Sequence, residues 1–216
     1  MLVLMKINLK KEEWSMKKII LATAITSICS IGFIGTANAD STFVGATAGK
    51  TWSRVTDNNA AKDNLDHSDF KNAFNQDNTW GARVGRDLGD RRFYVKYDYT
   101  SGAAHHNKLV QQNLVGSADY LYLVNDSGTR LFAGVSAGVN KLENNTAGYG
   151  GDSSYGFTYG AQVGVLQSIG SNFEVEGGFK YMLNNNNVDF RENGVKVGTA
   201  DLKNNKQLYL GLNYHF

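Results

Sequence analysis

The chain has 216 residues, with 22 Lys and Arg against 20 Asp and Glu, 24 Gly, one Cys and no Pro. Five Lys and two Glu fall within residues 1–39, leaving 17 basic against 18 acidic residues in the rest, so the positive field that nucleic-acid binding needs is absent. The only thiol, Cys29, lies in the apolar N-terminal run, which excludes a disulfide framework, a cysteine metal site and a cysteine nucleophile from residues 40–216.

Met16-Lys17-Lys18 is a short positive segment that leads into the apolar run "IILATAITSICSIGFIGTA", which closes on Ala37-Asn38-Ala39. A charged head, an apolar middle and small residues at the first and third positions before a break read as a secretory signal peptide, with cleavage expected between Ala39 and Asp40. Ile28 stands where a lipoprotein would carry a small residue before its acylated Cys, so Cys29 is not read as a lipid anchor. Residues 1–15 precede Met16 and are set aside as an extended start. Residues 40–216 are read as one domain, and the lack of Pro among so many Gly suits strands paired along their whole length.

Eight stretches then alternate with period two, each near the ten residues a tilted strand needs to cross a bilayer. They are Phe43–Ser53, Thr79–Leu88, Arg92–Ser101, Asn113–Val124, Thr129–Asn140, Tyr155–Leu166, Phe173–Leu183 and Lys206–Phe216. The connections alternate in length. Long polar segments (54–78, 102–112, 141–154 and 184–205) are interleaved with the tight "GDR", "NDSG" and "QSIGS". This is the rhythm of a transmembrane barrel with short periplasmic turns, longer external loops and both termini periplasmic. Asn193-Gly194, inside the alternating "VDFRENGVKVG", is a hairpin signal, so the fourth external loop is expected to continue as a β-ribbon.

The faces decide the solvent. In the second strand Trp80, Ala82, Val84 and Leu88 oppose Gly81, Arg83, Gly85 and Asp87; in the sixth Phe157, Tyr159, Ala161, Val163 and Val165 oppose Gly156, Thr158, Gly160, Gln162 and Gly164. A soluble eight-stranded barrel would turn the apolar face inward and crowd its aromatics into a narrow interior. A membrane barrel turns that face to lipid, while inward glycines let the barrel close. The second arrangement fits. Lys50 departs from the pattern on the lipid face, near the outer end beside Trp52, from where its side chain can reach the interface.

The inward charges then form a polar network in the lumen: Arg83, Lys96, Arg130 and Lys180 against Asp98, Asp119, Glu174 and Glu176. Arg83, Lys96, Asp98 and Asp119 are expected to form one cluster, because they lie on three successive strands at similar depth. Such a network either fills the lumen structurally or gates a narrow path for small ions. His215 faces inward near the end of the last strand; His67, His105 and His106 fall in loops without the spacing of a metal site, and "GYGGDSSYG" has no helix after it to make a phosphate cradle. No catalytic, cofactor or metal site is read.

Taken together, the Ala-x-Ala signal, strands such as "FVGATAGKTW" and "WGARVGRDLG", the loop rhythm and the terminal "YLGLNYHF" resemble the small OmpA/OmpX-type outer-membrane barrels of Gram-negative bacteria, the opacity or porin-like family. The resemblance implies an all-β, eight-stranded antiparallel up-and-down transmembrane barrel, inserted as a monomer among outer-membrane lipid and lipopolysaccharide. It also implies delivery by the barrel assembly machinery, which reads an aromatic C-terminal strand; that role falls on Gly211, Tyr214 and Phe216, although Tyr209 stands where the family signal usually has a polar residue. A structural or surface-interaction role follows, through four external loops and possible host or matrix ligands, in adhesion, host-defence resistance or envelope integrity. A narrow low-conductance pore and, further off, a lipid A-modifying enzyme stay open beside it.

Overall fold

The computed structural model describes residues 40–57, 77–104, 107–144, 152–192 and 195–216, and every regular element among them is a strand. The strands are β1 (Ser41–Asp57), β2 (Asp77–Asp87), β3 (Arg91–Ala104), β4 (Asn107–Leu123), β5 (Thr129–Asn144), β6 (Asp152–Ile169), β7 (Phe173–Glu192) and β8 (Val195–His215). Each pairs antiparallel with its neighbour in sequence. The ring closes where β8 meets β1, with Phe43 opposite His215 and Ala46 opposite Leu212. The eight expected strands are therefore all present, in up-and-down order.

The side chains are distributed inside out. Large apolar residues cover the outer wall, with Trp80 65% and Leu210 68% exposed, whereas Arg92 and Glu176 inside are fully buried. Water would not leave such a wall uncovered, since a contiguous apolar surface of this extent is far larger than soluble monomers tolerate. Lipid is its proper solvent, and β2, at 11 residues, has the length of one tilted crossing.

The two ends differ for a physical reason. At one end, the turn end, the connections after β2, β4 and β6 are only a few residues long, and each places a glycine at positive φ: Gly89, Gly128 and Gly170. Only glycine takes that left-handed geometry without strain. The carboxylate of Asp87 tightens the first of these turns by accepting from the Gly89 amide at 2.8 Å. At the other end, the loop end, most strands run past the lengths expected from sequence. β7 and β8 are paired as far as Glu192 opposite Val195, with bulges between Leu183 and Asn186 and between Phe190 and Arg191. The fourth connection is thus a β-ribbon; its Asn193-Gly194 turn lies outside the described residues. The described ladder between β1 and β2 runs from Ser41 opposite Asp87 to Thr51 opposite Asp77.

Glycines on the inner face make room for the lumen side chains. A Cβ on Gly178 would lie 2.7 Å from the Tyr209 ring, whereas one on the outward Gly177 would meet only Leu210, at 3.7 Å. Gly178→Val should therefore destabilise the barrel by about 1 to 3 kcal/mol in urea unfolding from lipid vesicles. Gly177→Val should stay within about 0.5 kcal/mol of the parent. Equal effects of the two changes would contradict the inward and outward assignment.

Candidate functional site: the charged lumen

All eight charged residues expected inside are inside, but they are not alone and do not group as expected. Arg92 and Asp87 join them, so that the ion pairs of the lumen engage five cations (Arg83, Arg92, Lys96, Arg130, Lys180) and five anions (Asp87, Asp98, Asp119, Glu174, Glu176) among the described residues, where four of each were expected. The expected cluster of Arg83, Lys96, Asp98 and Asp119 is divided. Arg83 reaches across to Glu176, Asp119 is held by Arg92, and only Lys96 and Asp98 pair with each other. The reason is that Arg83 on β2 and Arg92 on β3 both reach across the lumen to Glu176 on β7, while Asp119 is held by its ladder partner Arg92 on the adjacent strand.

Three tiers result. The middle tier is centred on Glu176, whose two oxygens accept four hydrogen bonds. Arg83 Nη1 and Nη2 donate as a fork at 2.9 and 2.7 Å, Arg92 Nη1 donates at 2.7 Å, and the Tyr209 hydroxyl donates at 2.7 Å. Arg92 then turns its other edge to Asp119, with Nη2 at 2.6 Å and Nε at 3.1 Å from Oδ2. Gln162 donates to the remaining oxygen of Asp119. The Arg92 guanidinium lies over the rings of Tyr94 at 5.0 Å, Phe132 at 5.2 Å and Phe43 at 5.7 Å. These aromatics exclude water from it, which strengthens its ion pairs and raises the penalty for losing one.

The turn-end tier joins Asp87 and Glu174 through Arg130, whose Nη2 lies 2.7 Å from Asp87 Oδ2 and also pairs with Glu174. Asn213 ties this tier to the middle one: its Nδ2 donates to Glu174 at 2.9 Å, and its Oδ1 accepts from Arg83 Nε at 2.9 Å. His215 stacks on Phe43 and hydrogen-bonds Ser41 Oγ at 2.9 Å. Ligand atoms of Asp87, Glu174 and His215 come within 4.8 Å of one another, which is metal-like spacing, but the Arg130 guanidinium already occupies both carboxylates. Beside these two tiers Leu121, Phe132, Leu166 and Tyr209 form an apolar cluster.

The loop-end tier is sparser. Lys96 Nζ lies 2.9 Å from Asp98 Oδ1 and 4.6 Å from the centre of the Tyr209 ring. Lys180 is 4.0 Å from the other Asp98 oxygen. Beside them the hydroxyls of Thr51, Thr79 and Thr100 run in a row at 2.6 and 2.8 Å. Farther toward the loop end, Leu142, Met182 and Leu202 are buried.

Asp87 and Arg92 carried a legible signal, since both have the parity of inward neighbours, Asp87 with Arg83 and Arg92 with Tyr94 and Lys96. They sit at strand ends, where the sequence reading did not count them as lumen residues. The C-terminal residues lie on the wall. Tyr214 packs edge-on against Phe173 and Phe216 at 5.2 and 5.1 Å, and the Phe216 amide donates to Thr42 O at 2.9 Å. Gly211 faces inward, where a Cβ would meet Arg83. Ala37, Ala39, His67, His105 and His106 lie outside the described residues.

A scan against protein-family models gives no match, and no curated protein matches the sequence. Solved structures do match. Neisserial surface protein A is 17% identical, with a TM-score of 0.58 over 83% of this chain and 100% of that one. Outer membrane protein H (OprH) from P. aeruginosa, solved in DHPC micelles, is 36% identical, with a TM-score of 0.54 over 82% and 99%. OprG from Pseudomonas aeruginosa is 12% identical, with a TM-score of 0.53 over 84% and 98%. The first and third share the fold; the second is related in sequence as well, over nearly its whole length.

Removing one partner of a buried ion pair leaves the other charge without compensation, at a cost of about 3 to 5 kcal/mol. Arg92→Met should therefore lose roughly that much in urea unfolding, because Asp119 has no other cation within 4 Å among the described residues. Adding Asp119→Asn to the same chain should recover part of the loss. A single Arg92→Met within 1 kcal/mol of the parent would refute the central place given to Arg92.

Proposed function

Because the chain belongs to the small OmpA/OmpX-type family of eight-stranded outer-membrane β-barrels, we propose that it serves the outer membrane as a structural and surface-interaction protein, not as a conduit or an enzyme. The observation that carries this reading is the filled lumen, whose interior, among the described residues, is occupied by two tiers of ion pairs and by an apolar cluster beside them. The polar network of Arg83, Lys96, Asp98, Asp119, Arg130, Glu174, Glu176 and Lys180 is then a structural plug. In this reading residues 1–39 are a cleaved signal peptide, the turn end with both termini faces the periplasm, and the loop end faces outward as the interaction surface.

A cationic stretch of the outer wall supports the envelope-integrity form of this role. Lys50, Arg54 and Lys206 are exposed on β1 and β8, with Lys50 opposite the lipid-facing Leu208 and Lys206 opposite Trp52 in the ladder. Cations at that height meet phosphate and not hydrocarbon, and each phosphate contact adds a charge-assisted hydrogen bond. Lipopolysaccharide is the phosphorylated lipid of that leaflet, and bridging it to the barrel would stiffen the envelope.

Purified protein in planar bilayers should show no resolvable conductance steps; steady steps would favour the narrow pore instead. Binding to lipopolysaccharide-containing vesicles should fall at least tenfold in the combined Lys50→Gln, Arg54→Gln and Lys206→Gln chain. Unchanged binding would remove the cationic stretch from the account. Deleting Phe216, read as the residue recognised by the barrel assembly machinery together with Gly211 and Tyr214, should impair assembly more than shortening segment 58–76. Assembly is scored as the fraction of unboiled protein that migrates fast in gels, and equal fractions would count against the assembly-signal reading.

A further inference from the structure

The middle and turn-end tiers are joined by arginines, whose planar forks meet two carboxylate oxygens or two partners at once; the loop-end tier is built from Lys96 and Lys180, which present compact ammonium groups. A tier of lysines leaves oxygens for something else to meet. Two such oxygens are present. Asp98 Oδ1 is in ion-pair contact with Lys96 Nζ at 2.9 Å but lacks the alignment of a hydrogen bond. Asn205 Oδ1 has no hydrogen-bond partner either, because the amide is fixed the other way round: its Nδ2 donates to Gln111 Oε1 at 2.9 Å, and Gln111 Nε2 donates on to Asn113 Oδ1 at 3.1 Å. Asp98 is only 3% exposed and Asn205 5%, and acceptors buried so deeply are ordinarily met by a donor.

Both residues line one small space. A chamber of about 20 Å³ lies among Asp98, Asn205, Lys180 and the threonine row, with Val115 and Met182 as the apolar part of its wall. That volume admits one molecule the size of water. Lys180 Nζ stands 4.0 Å from the second Asp98 oxygen, beyond hydrogen-bond distance, and adds a donor to the two acceptors. The mixture selects the occupant. An anion is repelled by the Asp98 carboxylate, a cation is repelled by Lys96 and Lys180, and an apolar molecule leaves both oxygens bare. A neutral molecule that donates twice and accepts from an ammonium answers all three groups.

We propose that this chamber is a hydration site, which binds one water molecule as a fixed part of the lumen. The water donates to Asp98 Oδ1 and Asn205 Oδ1 and accepts from Lys180 Nζ. It thereby links β3, β7 and β8 at the height where no guanidinium fork does so, and it lets one carboxylate serve two lysines.

The test is a crystal structure of the full barrel in detergent, with the chloride of a second set of crystals exchanged for bromide. Both sets should carry a difference peak within about 3.2 Å of Asp98 Oδ1 and Asn205 Oδ1. The bromide set should show no anomalous signal there. Asn205→Leu, which keeps the side-chain bulk and removes the carbonyl, should lose the peak. NMR in micelles reads the same site without crystals: the Val115 methyl groups should show a cross-peak to water in the parent and lose it in Asn205→Leu. No peak in the parent, an anomalous bromide signal in the chamber, or a peak unchanged in Asn205→Leu would each overturn the proposal.

Discussion

Everything in this barrel depends on the neutralisation of Glu176. Eight strands close around an interior only wide enough for side chains, with lipid outside, so a carboxylate there has neither bulk water nor mobile ions to stabilise it. Glu176 resolves this by accepting from Arg83, Arg92 and Tyr209 at once, which gathers β2, β3, β7 and β8 around one group. Arg92 passes the constraint on to Asp119 and β4. The inward glycines follow from the same requirement: long guanidinium arms cross the lumen only where facing positions carry no side chain, and Gly45, Gly134 and Gly211 stand beside Asn213, Asp119 and Arg83 for that reason.

The two ends of the barrel are built differently. The turn end is compact, with three tight turns fixed by left-handed glycines and by the Asp87 cap. At the loop end, in contrast, the described strands continue past the charged lumen, as β7 and β8 do to Glu192 opposite Val195.

Much of the architecture was legible in the sequence because a strand alternates strictly between two solvents. Val163 and Gln162, or Phe179 and Lys180, can only face opposite ways, and the face with ionised groups can only be the one away from lipid. Strand ends were less legible. Past the bilayer both faces of a strand meet water, so alternation fades at Asn184 although the backbone pairing continues to Glu192. The pairing of charges was least legible. Arg83 and Glu176 are 93 residues apart and meet through strand tilt and long side chains, neither of which leaves a trace in residue spacing. Arg92 was missed because it opens a strand, where a cation ordinarily lies in the headgroup region.

The uneven tiers have an electrical consequence. Among the ion-paired lumen groups, Lys96 and Lys180 outnumber Asp98 toward the loop end and Asp87 and Glu174 outnumber Arg130 toward the turn end, so these groups contribute a dipole along the barrel axis. A potential across the membrane acts on such a dipole with a torque. One elementary charge moved through the full thickness gains or loses about 2.3 kcal/mol per 100 mV, and the two tiers span part of that thickness. The two orientations of the inserted barrel therefore differ in this contribution whenever the membrane is polarised.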